Sequence, residues 1–97
     1  MSTIISLFKS TGAFAENKDI ARDIRLQTLL PALEHGSEVV IDFANVTGAT
    51  QSFIHALISA PFRKYGDKTL DLIQFKNCNE TIKQIITIVT EYMQEAE

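Results

Sequence analysis

Hydroxyl, amide and carboxylate side chains crowd one short stretch of the chain, Asp42-Phe43-Ala44-Asn45-Val46-Thr47-Gly48-Ala49-Thr50-Gln51-Ser52. An apolar run enters it from Val39, and helical periodicity leaves it from Phe53. A loop between a buried strand and a helix start faces free backbone N–H groups and the positive end of the helix dipole, an arrangement that favours an anion. A phosphate attached to Ser52 would be held well there. Capping alone also accounts for Thr50, Gln51 and Ser52, because hydroxyl and amide groups recur at helix starts for that purpose. Asp42 has two readings as well. It suits a phospho-acceptor or metal ligand at a strand end, and it equally suits a carboxylate that hydrogen-bonds loop backbone. A phospho-acceptor of the receiver type needs more acidic residues at the end of the first strand, where this chain has Phe8-Lys9.

The remaining reactive side chains stand apart. His35 and His55 lack metal-ligand spacing, and there are no paired cysteines. His35 precedes Gly36 at the negative end of a helix, and His55 lies one turn past Gln51 as a surface residue. No phosphate-binding Gly-x-x-x-x-Gly-Lys loop and no Gly-x-Ser-x-Gly elbow occurs. The lone Cys78 has no basic or histidine neighbour in sequence to lower its pKa, so it reads as a small residue beside a helix start. We therefore expect no catalytic set, no metal and no cofactor. One cysteine also points to a reducing compartment, the cytoplasm. The net charge is −3, and the nine Lys and Arg residues are scattered, which disfavours nucleic-acid binding through phosphate contacts. No apolar run nears the roughly 20 residues of a spanning helix, and residues 1–5 lack the pattern of a signal peptide.

These residues must be positioned by a chain of 97 residues, the size of one domain with one modest core. Strand and helix patterns alternate three times. Strands are expected at residues 3–8, 38–43 and 69–75, with a further strand at 10–16 as an option. The nearly unbroken apolar run at 38–43 predicts a central strand covered on both faces. Asn17 caps the first helix, which turns Ile20, Ala21, Ile24, Leu30 and Leu33 inward, kinks or restarts at Pro31 and ends at Gly36. The second helix starts near Gln51, buries Phe53, Ile54, Leu57 and Ile58, and is disturbed by Pro61. Asn77 and Glu80 resemble a capping box for the third, whose stripe is Ile82, Ile85, Ile86, Val89, Tyr92 and Met93. The order implies an α/β domain over residues 1–97, with three main helices and a mostly parallel sheet of three to four strands.

From about Ile20 to Met93 the sequence resembles the STAS superfamily, and within it the bacterial STAS-like domains grouped as DUF4325. The resemblance rests on Ala21-Arg22-Asp23-Ile24-Arg25, Pro31-Ala32-Leu33, Val39-Val40-Ile41-Asp42-Phe43-Ala44-Asn45-Val46, Ser52-Phe53 and Leu72-Ile73-Gln74-Phe75-Lys76-Asn77, in that order and spacing. It implies a small α/β sandwich that binds partner proteins. Anti-sigma-factor antagonists of the superfamily bind a histidine-kinase-like ATPase, which phosphorylates a serine in an Asp-Ser-Ser-Gly motif at the start of the helix after the central strand. The second serine of that motif falls at Ser52. Thr50 stands in place of the aspartate, Gln51 in place of the first serine and Phe53 in place of the glycine.

The expected function is thus a non-catalytic protein-interaction module that switches partners. Its expected surface is the loop and helix start at 44–55, with Asn45, Thr47, Gly48, Thr50, Gln51, Ser52 and His55 as contact residues and Ser52 as the phosphorylation candidate. The alternative is a sensor that binds a small ligand or nucleotide at the same loop. A homodimer is also in prospect, since a small sheet has edges that need covering.

Overall fold

A computed structural model describes residues 2–95. Its main sheet contains β1 (Ser2–Ser6), β3 (Glu38–Asp42) and β5 (Ile73–Lys76), in the order β1-β3-β5 with both pairings parallel. β2 (Phe14–Ala15) and β4 (Gly48–Ala49) form a second, two-stranded parallel sheet. Between these strands lie α1 (Phe8–Thr11), α2 (Lys18–Ile24), α3 (Leu30–Glu34), α4 (Gln51–Tyr65) and α5 (Thr69–Leu72), and α6 (Glu80–Glu95) follows β5. The architecture is the expected α/β one. The optional strand at 10–16 exists as β2, but it pairs with β4 rather than joining the main sheet.

Parallel strands cannot be joined by a tight hairpin, so each connection crosses the sheet. When strands are added in one direction with crossovers of one hand, every crossover falls on the same face. Burial follows that rule. Ile5, Val39, Ile41 and Ile73 point to the helical layer and are buried, whereas Ile4 and Gln74 on the opposite face are exposed and Val40 is half-buried. β3 is therefore central and hydrogen-bonded along both edges, but it is covered on one face only. This corrects the expectation of cover on both.

Beneath the helices, Phe43, Phe53, Leu57, Ile58, Leu29 and Ile82 are fully buried and form one core with the sheet residues. α4 packs between α2 and α6. Its expected stripe, Phe53, Ile54, Leu57 and Ile58, has no exposed surface. The α6 stripe holds at Ile82, Ile86, Val89 and Met93, with Ile85 half-buried, but Tyr92 turns outward and is 60% exposed.

The prolines act differently from each other. Pro31 lacks an N–H and crowds the carbonyl four residues back. The chain accommodates it by widening into a π-helical turn, Arg25–Leu29, in which Leu30 N–H donates to the Arg25 carbonyl, before α3 begins. That is the expected restart. α3 closes with Gly36 at φ 79° and paired bonds from Gly36 to Leu33 and from Ser37 to Ala32, the Schellman pattern that a left-handed glycine permits. Pro61 is buried inside α4, and the helix runs through it for 15 residues.

Residues 69–72 differ from expectation. They alternate like a strand, yet they form α5 after a 3-10 turn at Gly66–Lys68. The buried Thr69 hydroxyl donates to the Pro61 carbonyl at 3.0 Å and holds this turn against α4, so β5 starts only at Ile73. The α6 cap also shifts. Asn79, not Asn77, caps the helix, its Oδ1 accepting from Ile82 N–H at 2.9 Å. Asn17 caps α2 as expected, accepting from Asp19 N–H at 2.9 Å.

Because Ile41 is fully buried between Ile5 and Phe75 in register, Ile41→Ala should lower unfolding free energy by about 2–5 kcal/mol. The exposed Gln74→Ala on the open face should change it by no more than about 0.5 kcal/mol. Urea denaturation of both variants checks this, and equal effects would contradict the one-sided core.

Candidate functional site

The loop after β3 is built by its own polar groups. Phe43 N–H donates to the Lys76 carbonyl, which carries the sheet one step past β3. Asp42 Oδ1 then accepts from Ala44 N–H at 2.9 Å and from Asn77 Nδ2 at 2.8 Å. One carboxylate oxygen thus ties the ends of β3 and β5 together. Of the two readings of Asp42, the hydrogen-bonded loop carboxylate is what the geometry contains. Asn45 and Asn77 each take a left-handed turn, φ 69° and 59°, which an asparagine side chain tolerates.

Further along, Thr47 donates to the Ala13 carbonyl through both N–H (2.7 Å) and hydroxyl (3.1 Å), while its own carbonyl accepts from Asn79 Nδ2 at 2.8 Å. Gly48 lies opposite Phe14 in the β2–β4 pair. A Cβ at Gly48 would sit 2.7 Å from the half-exposed Phe14 ring, so the ring rests over the space that the glycine leaves. Thr50 N–H reaches the Ala15 carbonyl, and Thr50 Oγ1 accepts from Phe53 N–H at 3.0 Å. Thr50 is therefore the N-cap of α4, as the capping reading requires.

Gln51 and Ser52 are exposed on the first turn of α4, and His55 is half-buried one turn on. They border a groove of about 440 Å³ whose other walls are Lys18 at the start of α2 and Ile88, Val89 and Tyr92 on α6. The His55 and Tyr92 rings face each other at 6.2 Å between centroids. Of the expected contact residues, Gln51, Ser52 and His55 therefore line one concavity. Asn45 and Thr47 are exposed on the loop outside its lining, Gly48 is buried beneath Phe14, and Thr50 is half-buried and occupied as the cap. Sequence reasoning gives Lys18, Ile88 and Tyr92 no binding role. Ile88 and Tyr92 carried a signal, since they stand one turn apart beside the Ile82–Ile86–Val89–Met93 stripe, leaving apolar surface next to the face that packs.

Cys78 is half-buried, and desolvation pushes its thiol pKa up, with Lys83 pulling part of the way back. That suits an inert packing residue. Among the described residues no group of three His, Cys, Asp or Glu side chains is placed to hold a metal. No described helix is long and apolar enough to cross a membrane.

A family model described as a STAS-like domain of unknown function, DUF4325, matches residues 21–83, more than half of the chain. The chain belongs to that family. The match begins in α2 of this STAS-like domain and ends in α6, so it takes in β3, the loop and α4, while β1, α1 and β2 precede it. No curated protein and no solved structure matches the domain.

Two hydrogen bonds to its carboxylate hold the Asp42 pKa below the usual value, the Asn77 amide contributing most and Ala44 N–H next. A depressed folded-state pKa stabilises the fold above the unfolded-state value, about 3.9, and that contribution fades as pH falls through the lower folded value. The stability gap between wild type and Asp42→Asn should therefore be widest near neutral pH and shrink below about pH 4. Urea denaturation across this range tests it; a gap that stays constant would show that ionised Asp42 is not what ties the two strand ends.

Proposed function

We propose that this STAS-like domain is a non-catalytic docking module that receives a partner protein on the first turns of α4 and the groove beside them. The observation that supports this reading most is the contrast between a fixed backbone and outward side chains. Thr47, Thr50, Asp42 and Asn79 hold the loop in place through hydrogen bonds. Next to it, Ile88 and Tyr92 leave 49% and 60% of their surface exposed. A preformed surface loses little entropy on binding, and a partly exposed tyrosine can anchor a partner while its hydroxyl stays hydrated. The partner that fits the family relation is a histidine-kinase-like ATPase, docking against the loop at 44–52, with Gln51, Ser52 and His55 in the contact.

Ser52 is the candidate for a phosphorylation switch. It is exposed on the first turn of α4, where a phosphate would meet the positive helix end, and Lys18 lines the same groove. Phosphate would add roughly −1.5 to −2 charges to the rim and oppose an acidic or apolar partner surface. Co-purification from a native host with mass spectrometry should recover such an ATPase. Tyr92→Ala should then weaken its binding about 30-fold or more, the scale of a hot-spot residue, while Gln74→Ala on the distant sheet face leaves it unchanged. Binding unaffected by Tyr92→Ala and by alanine at Gln51 and His55 would remove the surface assignment. If no phosphate appears on residues 47–52 after incubation with the recovered ATPase and ATP, the switch is lost but the docking role stands.

The groove volume supports a second reading, a sensor for a small ligand, because about 440 Å³ falls within the range of ligand pockets. A ligand held there should raise the melting temperature with the logarithm of its excess, and His55→Ala with Tyr92→Ala should abolish that rise. Flat melting curves across nucleotides and phosphorylated metabolites would eliminate it.

A further inference from the structure

We propose that β1 is a self-pairing edge, and that two copies of this chain join through it into one continuous sheet about a two-fold axis at Ile4. The proposal is independent of the docking surface on α4. Among the described residues β1 pairs with β3 alone, along one side. Leu7 N–H donates to the Asp42 carbonyl, which fixes the direction of the ladder. Because backbone groups alternate along a strand, Thr3, Ile5 and Leu7 turn theirs toward β3, and Ser2, Ile4 and Ser6 turn theirs away from it.

Edge strands are normally protected by charge, proline, a bulge or a covering element. Ser2-Thr3-Ile4-Ile5-Ser6 has no charged residue, proline or glycine, and Ile4 is 69% exposed beside the free edge. The opposite edge, β5, is one residue shorter and ends on Lys76. The β1 sequence is also close to palindromic. An antiparallel pair centred on Ile4 sets Ile4 against Ile4 of the second copy, Ser2 against Ser6, and Thr3 against Ile5. No like charges meet, and an apolar pair lies at the axis. Ile4 falls at a hydrogen-bonded site, where two residues exchange both N–H···O bonds, so the two-fold is satisfied by the backbone itself. Ser2 and Ser6 complete the ladder on either side. The occupant is a second copy because the edge complements itself in register, in hydroxyl and apolar pairing and in the absence of charge.

Sedimentation equilibrium and hydrogen exchange on the full chain test this. Wild type should approach twice the monomer mass of 10.8 kDa as concentration rises. Its Ile4 and Ser6 amides should become protected in step. Ile4→Lys should halve the mass by placing two ammonium groups across the axis. Ile4→Pro should do the same, because it removes an outward N–H while leaving the Thr3, Ile5 and Leu7 bonds to β3. Circular dichroism equal to wild type identifies a folded variant. The wild-type exchange measurement decides the matter even if neither variant folds. A wild type that stays monomeric at every concentration overturns the proposal. So does a dimer whose Ile4 and Ser6 amides exchange freely, or one that survives in folded Ile4→Lys.

Discussion

Parallel pairing of β3 with a neighbour on each side is the constraint on which the rest of the structure depends. Two parallel neighbours require two crossovers, and the strand order puts both on one face. That one-sidedness produces a single core under α2, α4 and α6 and leaves the opposite face to solvent. The shared strand direction brings the carboxyl ends of β1, β3 and β5 to one rim, where the outgoing loops meet. Asp42 works at that rim. Its carboxylate serves the β3 loop through Ala44 and the β5 loop through Asn77, so the two loops are set relative to each other by one side chain. Asn79 repeats the connection from α6 to Thr47. The start of α4 is fixed because its neighbours on three sides are fixed.

Much of this was legible because burial imposes periodicity. The Val39–Phe43 run, the Phe53–Ile58 stripe and the Ile82–Met93 stripe each needed one element type to bury their apolar atoms, and each formed it. Caps with one strong local candidate, such as Asn17, were legible for the same reason. The failures came where a long-range contact outweighed a local pattern. Thr69-Leu70-Asp71-Leu72 alternates like a strand, but the Thr69 hydroxyl bonds to a carbonyl eight residues back and keeps the segment helical. Asn77 looked like a cap because Glu80 follows it, yet its amide is drawn to Asp42, 35 residues away, and Asn79 caps instead. The two-sided cover expected for β3 failed for a topological reason: apolar content tells how much of a strand is buried, not on which side the crossovers run.

The candidate site divides along the same line. Its loop was visible as a cluster of small polar residues after a buried strand. What the cluster does was not visible, since half of those groups are spent on the chain itself. Thr50 caps, Thr47 bonds to Ala13, and Gly48 makes room for the Phe14 ring. The side chains left to face outward come partly from elements distant in sequence, Lys18 on α2 and Ile88 and Tyr92 on α6. Tyr92 reads as part of the α6 stripe yet borders the groove, and Ile88 falls outside the stripe, so periodicity alone does not tell which apolar residues of α6 line a concavity.

A one-sided sheet also separates two kinds of surface. Side chains that could recognise a partner gather at the helical rim, and the groove lining includes no residue of β1. Backbone groups without a strand neighbour lie at the sheet edges, where recognition proceeds through N–H and C=O groups rather than side-chain identity. β1 lies outside the residues that match the family model, whereas the loop and α4 lie within it. Pairing through β1 would thus leave Gln51, Ser52, His55 and Tyr92 accessible on both copies. Two docking surfaces on one rigid body give the second binding event a raised effective concentration, provided the partner can span them. In a domain this small, the β1 edge and the groove beside α4 are different parts of the molecule, so covering the one does not close the other.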